Sequence, residues 1–182
     1  MGIRLDKALQ RSRVFLGFIF APVYLVFSRP TIPLIIIGTS IAICGLVIRG
    51  WASGHLRKVQ YLDVSGPYGY TRNPLYFGSF LIAVGFAVAS GVWWLGLLLI
   101  LCFLSIYLPV INVERNELES GQGDEYREYA TAVPLFIPRL RAWKKSGRSF
   151  DFQLYLKNGE YNASIGVLLV DLVLLIKACF ID

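Results

Sequence analysis

The chain has 182 residues, 55% of them hydrophobic and only 16% charged, with a mean hydropathy of +0.57. Soluble domains carry about a quarter charged residues, and a soluble fold of this composition would leave too much apolar surface in water, so an ordinary soluble globule is excluded. The formal net charge of +6 points to membrane topology and anionic lipid rather than to nucleic acid, because the basic residues cluster between the hydrophobic runs.

About 20 apolar residues cross a bilayer as a helix, and five stretches approach that requirement. The first, 14–27, is short and extends through Arg13 and Arg11 with snorkelling side chains. No small-residue cleavage site follows, so it reads as a retained signal anchor. Arg29-Pro30-Thr31-Ile32-Pro33 forms a turn, since two prolines cannot continue a helix interior, and 31–48 is the second span. Between Arg72 and Glu114 no charge occurs over 41 positions, which fits two spans broken at Ala89-Ser90-Gly91, with Trp93 and Trp94 near an interface. The last span is 161–181. The prediction is an all-α integral membrane protein of about five transmembrane helices in one membrane domain, 1–182.

Loop charge fixes the orientation. With a cytosolic N-terminus the inside segments are 1–13, 49–74 and 112–160, holding four, four and eight Lys or Arg, or sixteen of the eighteen. Only Arg29, in an outer turn, and Lys177, near the end of the last helix, lie elsewhere. This is the positive-inside pattern. Polar chemistry is therefore expected on the cytosolic face, within 49–74 and 112–160. In the latter, Asp124 is placed to cap a short helix with Tyr126, Tyr129, Ala130 and Val133 on one face, ended by Pro134 and Pro138. Such a helix would lie at the interface or fold back as a lid. Arg139, Arg141, Lys144, Lys145 and Arg148 follow, well placed to face anionic headgroups, and 141–160 is read as a basic interfacial segment. Cys44, Cys102 and Cys179 each stand alone in apolar stretches, so no metal site or disulfide framework is expected.

The densest stretch is Ser65-Gly66-Pro67-Tyr68-Gly69-Tyr70-Thr71-Arg72-Asn73-Pro74-Leu75-Tyr76-Phe77-Gly78. Gly66-Pro67 and Asn73-Pro74 form turns, and Pro74 suits the first position of a helix. Arg72 and several tyrosines crowd that helix start, which reads either as an interfacial belt with a positive-inside arginine or as a binding site. Glu114 is the first charge after the fourth span and reads either as a solvated helix end or as part of the same site. The hairpin 74–112 returns Arg72 and Glu114 to one depth on one side.

These residues and their order resemble the isoprenylcysteine carboxyl methyltransferase family and its relatives among the phospholipid methyltransferases. That family has a Gly-x-Tyr segment, Arg-His-Pro-x-Tyr-x-Gly, a hydrophobic hairpin, then Glu-Glu-x-x-Leu-x-x-x-Phe-Gly-x-x-Tyr-x-x-Tyr, a Val and a Pro. Here Gly66, Tyr68, Arg72, Pro74, Tyr76, Gly78, Glu114, Leu118, Gly123, Tyr126, Tyr129, Val133 and Pro138 follow that order and spacing. The resemblance covers roughly 50–140, which it marks as a methyltransferase core. It implies a membrane enzyme that binds S-adenosylmethionine between the hairpin and the cytosolic segments and methylates a lipophilic acceptor from the bilayer. By the same resemblance the acceptor group is a carboxylate of the isoprenylcysteine type, with a phospholipid amine or a thiol as alternatives. A non-catalytic membrane adaptor is the competing class. The membrane would be the inner membrane of a prokaryote or the endoplasmic reticulum of a eukaryote.

The resemblance carries cofactor contacts to Tyr68, Asn73, Pro74, Leu75, Tyr76 and Glu114, and, through ungapped alignment, to Gln60, Tyr61, Leu62 and Asp63. The chemistry of the cofactor agrees with these residue types. A sulfonium favours aromatic faces, its hydroxyls and ammonium want a carboxylate, and its own carboxylate wants a guanidinium such as Arg72 or a helix start. A carboxylate acceptor needs no general base, whereas an amine or thiol needs a proton sink, and no catalytic residue is assigned. Asn73 replaces the family histidine, Arg115 the second glutamate and Gln122 the phenylalanine. Val110 stands where the prenylcysteine enzymes hold the substrate carboxylate with an arginine. His55, Arg115 and Asp171 are the candidates for substrate contact. His55 reads equally as an interfacial histidine. Asp171, mid-span and costly there, reads as a packing contact or as part of an acceptor tunnel.

Overall fold

A computed structural model describes residues 20–57, 62–144 and 148–180. Gln60, Tyr61, Lys145 and most of the first predicted run lie outside them. The chain forms a helical segment at 20–27 (α1), α2 (Ile32–Ser53), a 3-10 turn (Gly66–Gly69), α3 (Pro74–Ala89), α4 (Trp93–Ala132), α5 (Phe152–Lys157) and α6 (Tyr161–Phe180). The described residues contain no strand, and α2, α4 and α6 are long and apolar enough to cross a membrane, with α3 a shorter apolar helix of 16 residues. The protein is an all-α membrane protein.

In lipid no hydrophobic force draws apolar helices together, so their contact depends on close backbone approach. The α2–α3 contact shows how this chain achieves it. Gly38 and Gly45, two turns apart on one face of α2, meet Gly85 and Gly78 of the antiparallel α3. A β-carbon at Gly38 would overlap the Gly85 carbonyl and Ala89, and one at Gly45 the Gly78 carbonyl and Ile82. The outer turns also interlock: Arg29 N donates to Ser90 O at 2.7 Å, and Gly91, at φ +66°, leaves no room for a β-carbon beside the Arg29 carbonyl. Lys177 of α6 donates to the carbonyls of Leu25, Val26 and Ser28 at 2.8, 2.9 and 2.6 Å, covering the last turn of α1. At the opposite end Arg49 of α2 makes a bidentate pair with Glu160, at 2.9 and 3.0 Å, and also donates to Ser79 of α3. Helix α6 is thus pinned at both ends.

One expectation is corrected. The fourth helix does not stop near 112. It continues to a kink at Gly123, because the polar stretch after Glu114 contains good helix formers and no stop signal before Gly121. The short helix expected from Asp124 onward does form, as the second of two helical runs that α4 joins across that kink. The chain bends inside α4 at Gly123, whose φ of 56° and ψ of −123° suit glycine, while the Asp124 carboxylate is exposed and pairs with Arg127 at 3.2 Å. The expected face beyond the bend does form, with Tyr126, Tyr129 and Val133 buried against Leu62, Val64, Leu118 and Trp143. Helix α5 was not expected. Asp151 caps it, accepting from Gln153 N and Leu154 N at 2.9 and 3.2 Å.

Candidate functional site

Residues 134–143 form a strap laid along the segment that enters α3. Arg72 N donates to Pro134 O at 3.0 Å, Arg139 N to Tyr70 O at 2.9 Å and Trp143 N to Gly69 O at 3.0 Å. Thr71 Oγ1 donates to Phe136 O, and Asn73 Nδ2 to Leu135 O, both at 2.9 Å. From the other side the buried Tyr129 hydroxyl donates to Tyr68 O at 2.7 Å. Pro74 opens α3, as its fixed φ and missing N–H allow, and this turns Leu75 and Tyr76 toward α4.

Between this corner and α4 lies a cavity of about 400 Å³. Tyr68, Arg72, Asn73, Pro74, Leu75 and Tyr76 line one side, and Glu114 and Arg115 line the α4 side with Val110, Ile111, Val113, Glu117 and Leu118. Leu56, Arg57, Leu62, Asp63, Tyr126 and Tyr129 complete the wall. The Tyr76 hydroxyl donates to Glu114 Oε1 at 2.5 Å across the hairpin, so the two halves of the sequence pattern touch. That short distance fits a phenol donating to a carboxylate.

Two polar atoms on this wall are buried without hydrogen-bond partners. Arg72 reaches the Tyr126 hydroxyl through Nη1 at 3.3 Å, but its Nε has no partner. Asp63 uses Oδ1 to accept from Ser65 N and Ser65 Oγ at 3.0 and 2.5 Å, while among the described residues Oδ2 has no hydrogen-bond partner and lies 3.9 Å from Arg148 Nη1. Leaving such groups unpaired costs about 1–3 kcal/mol each, more when charged. Burial, reinforced by the nearby Asp63 carboxylate, pushes the Tyr68 phenol well above its usual range, so it stays protonated.

His55 and Asp171 do not line the cavity. His55 is buried behind the 3-10 turn, with Nδ1 2.9 Å from Trp51 O, its ring edge-on to Trp51 and Phe150, and its imidazole against Gly66, which at φ +53° has no space for a β-carbon. Asp171 is buried on α6 beside Thr39 of α2, with Oδ1 unpartnered. Val110, which stands at the family's substrate-carboxylate position, and Leu118 both lie on the wall, each one turn from Glu114 on the same helix face. Tyr126 and Tyr129 reach the site only through the bend at Gly123. Among the described residues no group of three or more His, Cys, Asp or Glu could hold a metal ion.

Comparison with known proteins gives related results. The family model for phospholipid methyltransferases matches residues 31–122, just over half of the chain. A nickel-cobalt-cadmium resistance protein of Alcaligenes xylosoxydans xylosoxydans is 35% identical over 101 residues, covering 56% of this chain and 44% of that protein. A cobalt-zinc-cadmium resistance protein of Cupriavidus metallidurans is 34% identical over 110 residues, covering 59% and 49%. The protein-S-isoprenylcysteine O-methyltransferase of Schizosaccharomyces pombe is 27% identical over 131 residues, covering 69% and 56%. The chain spans about half the length of these curated relatives. No solved structure matches it. With a family model matched from the start of α2 into α4, across the corner and the hairpin that enclose the cavity, the chain belongs to the phospholipid methyltransferase family of membrane proteins.

Proposed function

We propose that the protein is an S-adenosylmethionine-dependent methyltransferase that modifies a lipophilic acceptor at the cytosolic membrane face. The supporting observation is the convergence of Tyr68, Arg72, Tyr76 and Glu114 on one cavity that Asp63 also lines. A volume of about 400 Å³ is within the range of roughly 300–1,000 Å³ typical of small-molecule sites. When bound, the cofactor supplies an electrophilic methyl group on a sulfonium. Arg72 would hold its carboxylate, Glu114 and Asp63 its hydroxyl and ammonium groups, and the tyrosine faces its cationic centre. Asn73, Pro74 and Leu75 shape the wall between these groups, with Leu62 beside Asp63.

Val110, Ile111, Val113 and Leu118 give the α4 side an apolar part beside Glu114, Arg115 and Glu117, which suits an acceptor arriving from the bilayer. The acceptor group suggested by the resemblance is a carboxylate of the isoprenylcysteine type. Val110 lies on the wall and offers it no charge, so Arg115 and Arg57 are the nearest cationic candidates for that role. Detergent-purified protein should bind S-adenosylmethionine in calorimetry, with binding lost in Glu114→Ala and kept in His55→Ala. Membranes incubated with methyl-labelled cofactor should yield a labelled lipid, and a base-labile label identifies an ester. Purified, folded protein that takes up no cofactor would refute the proposal.

A further inference from the structure

We propose that the strap is a membrane-inserted clamp, held onto the site by anionic phospholipid. Its depth follows from its packing. The Phe136 ring lies 5.7 Å from Phe77 and 5.6 Å from Phe80, and Phe80 is six residues into α3. At 1.5 Å per residue that is about 9 Å below the helix start, so the Phe136 ring reaches down beside the first two turns of α3 while the strap backbone stays at the level of the segment that enters it. Interfacial elements bury their apolar side to about 5–10 Å, the same depth.

The side chains next to Phe136 agree. Ile137 is 74% exposed and Leu140 is 99% exposed, with no protein surface over them. Arg139, Arg141 and Lys144 alternate with them, and residues 134–144 contain no carboxylate. Lys144 lies over the Trp143 ring at 3.9 Å and reaches Glu128 at 3.3 Å, while Arg139 Nη1 donates to Ala132 O at 2.6 Å, so Arg141 is the most outward of the three. Apolar tips between cations match the boundary where acyl chains meet phosphate, with the long basic side chains turned up to the headgroups.

The clamp bears on the cavity because its backbone bonds end on Gly69, Tyr70 and Arg72, and Arg72 is part of the cavity wall. Phospholipid that holds the strap down raises the population of the closed cavity and thus the apparent affinity for its ligand. That second step rests on the cofactor reading above, whereas the membrane contact does not.

The test places a nitroxide at Leu140→Cys, with Cys44, Cys102 and Cys179 changed to serine, in nanodiscs of phosphatidylcholine with or without phosphatidylglycerol. The label should be reached by oxygen and shielded from a water-soluble nickel chelate, more so with phosphatidylglycerol, and inorganic phosphate should not substitute for the lipid. S-adenosylmethionine affinity in the same discs should rise with phosphatidylglycerol by about fivefold per engaged cation, and Arg141→Gln with Lys144→Gln should erase the rise. A label open to the chelate in phosphatidylglycerol discs overturns the clamp, as does an affinity indifferent to lipid charge. A shielded label without any cofactor binding overturns the methyltransferase reading instead and leaves the strap's membrane contact standing.

Discussion

Tyr76→Phe removes one oxygen and leaves the ring that faces the cavity. What disappears is the 2.5 Å bond from the phenol to Glu114 Oε1, which joins the start of α3 to α4 across the hairpin. A hydrogen bond to a charged group contributes about 1.5–3 kcal/mol, so cofactor affinity should fall about tenfold to a hundredfold if the bond fixes Glu114 in its binding position. Glu114→Gln should cost a similar factor, since the amide keeps the shape but loses the charge. The double variant distinguishes a joint role from two separate ones. Residues acting through one bond should give a coupling of at least about 1 kcal/mol, with the double variant little worse than the poorer single one. Calorimetry on the four proteins measures this, with melting temperatures as a check on folding. Tyr76→Leu should be weaker still, because the aromatic face is lost as well. Wild-type affinity in Tyr76→Phe, or strictly additive losses, would refute a shared role for the bond.

Gly45→Leu tests the α2–α3 contact. Its side chain meets the Gly78 carbonyl and Ile82, so the helices must separate, at the roughly 1–3 kcal/mol typical of overpacking or more, visible as a lower unfolding midpoint in detergent. An unchanged midpoint would mean that these helices do not meet there. The buried Tyr68 phenol predicts alkaline sensitivity. Its folded pKa is raised above the ordinary value of 10.0, so its contribution to stability is intact below that pH and is lost as pH rises beyond it. Tyr68→Phe should flatten the fall in melting temperature above pH 10.0, and an equally steep fall in the variant would show that other groups cause it.

The bilayer made the helices readable. Lipid requires long uninterrupted apolar segments, so the spans from α2 onward and the turn at Ser90-Gly91 follow from composition, and the hairpin then brings Arg72 and Glu114 together. The contact faces were less visible. Gly38, Gly45, Gly78 and Gly85 repeat at seven-residue spacing, which suggests close helix approach, but the spacing does not identify the partner. The strap could not be foreseen, because it is held by the backbone atoms of Gly69, Tyr70 and Arg72, and backbone pairing leaves no pattern of side chains. The break at Gly123 was legible as the start of a short helix at Asp124, but not its geometry, a positive-φ glycine that packs Tyr126 and Tyr129 against Leu62 and Val64.

Arg72 is the residue on which sequence reasoning had two answers, and its surroundings separate them. An arginine present only to satisfy the positive-inside rule needs nothing but water or phosphate, and its long side chain would extend outward to find them. Here the half-buried side chain lines the cavity, with its Nη1 on the Tyr126 hydroxyl, its Cζ 6.0 Å from that ring and its Nε buried without a hydrogen-bond partner. A guanidinium held against the wall and only partly hydrogen-bonded favours an anionic partner. Asp63 lines the same cavity with the opposite charge, its Oδ2 buried 3.9 Å from Arg148 Nη1. One wall therefore carries a cation and a carboxylate, and a zwitterionic amino-acid moiety like that of the proposed cofactor complements both, whereas an aromatic belt or a solvated helix end accounts for neither.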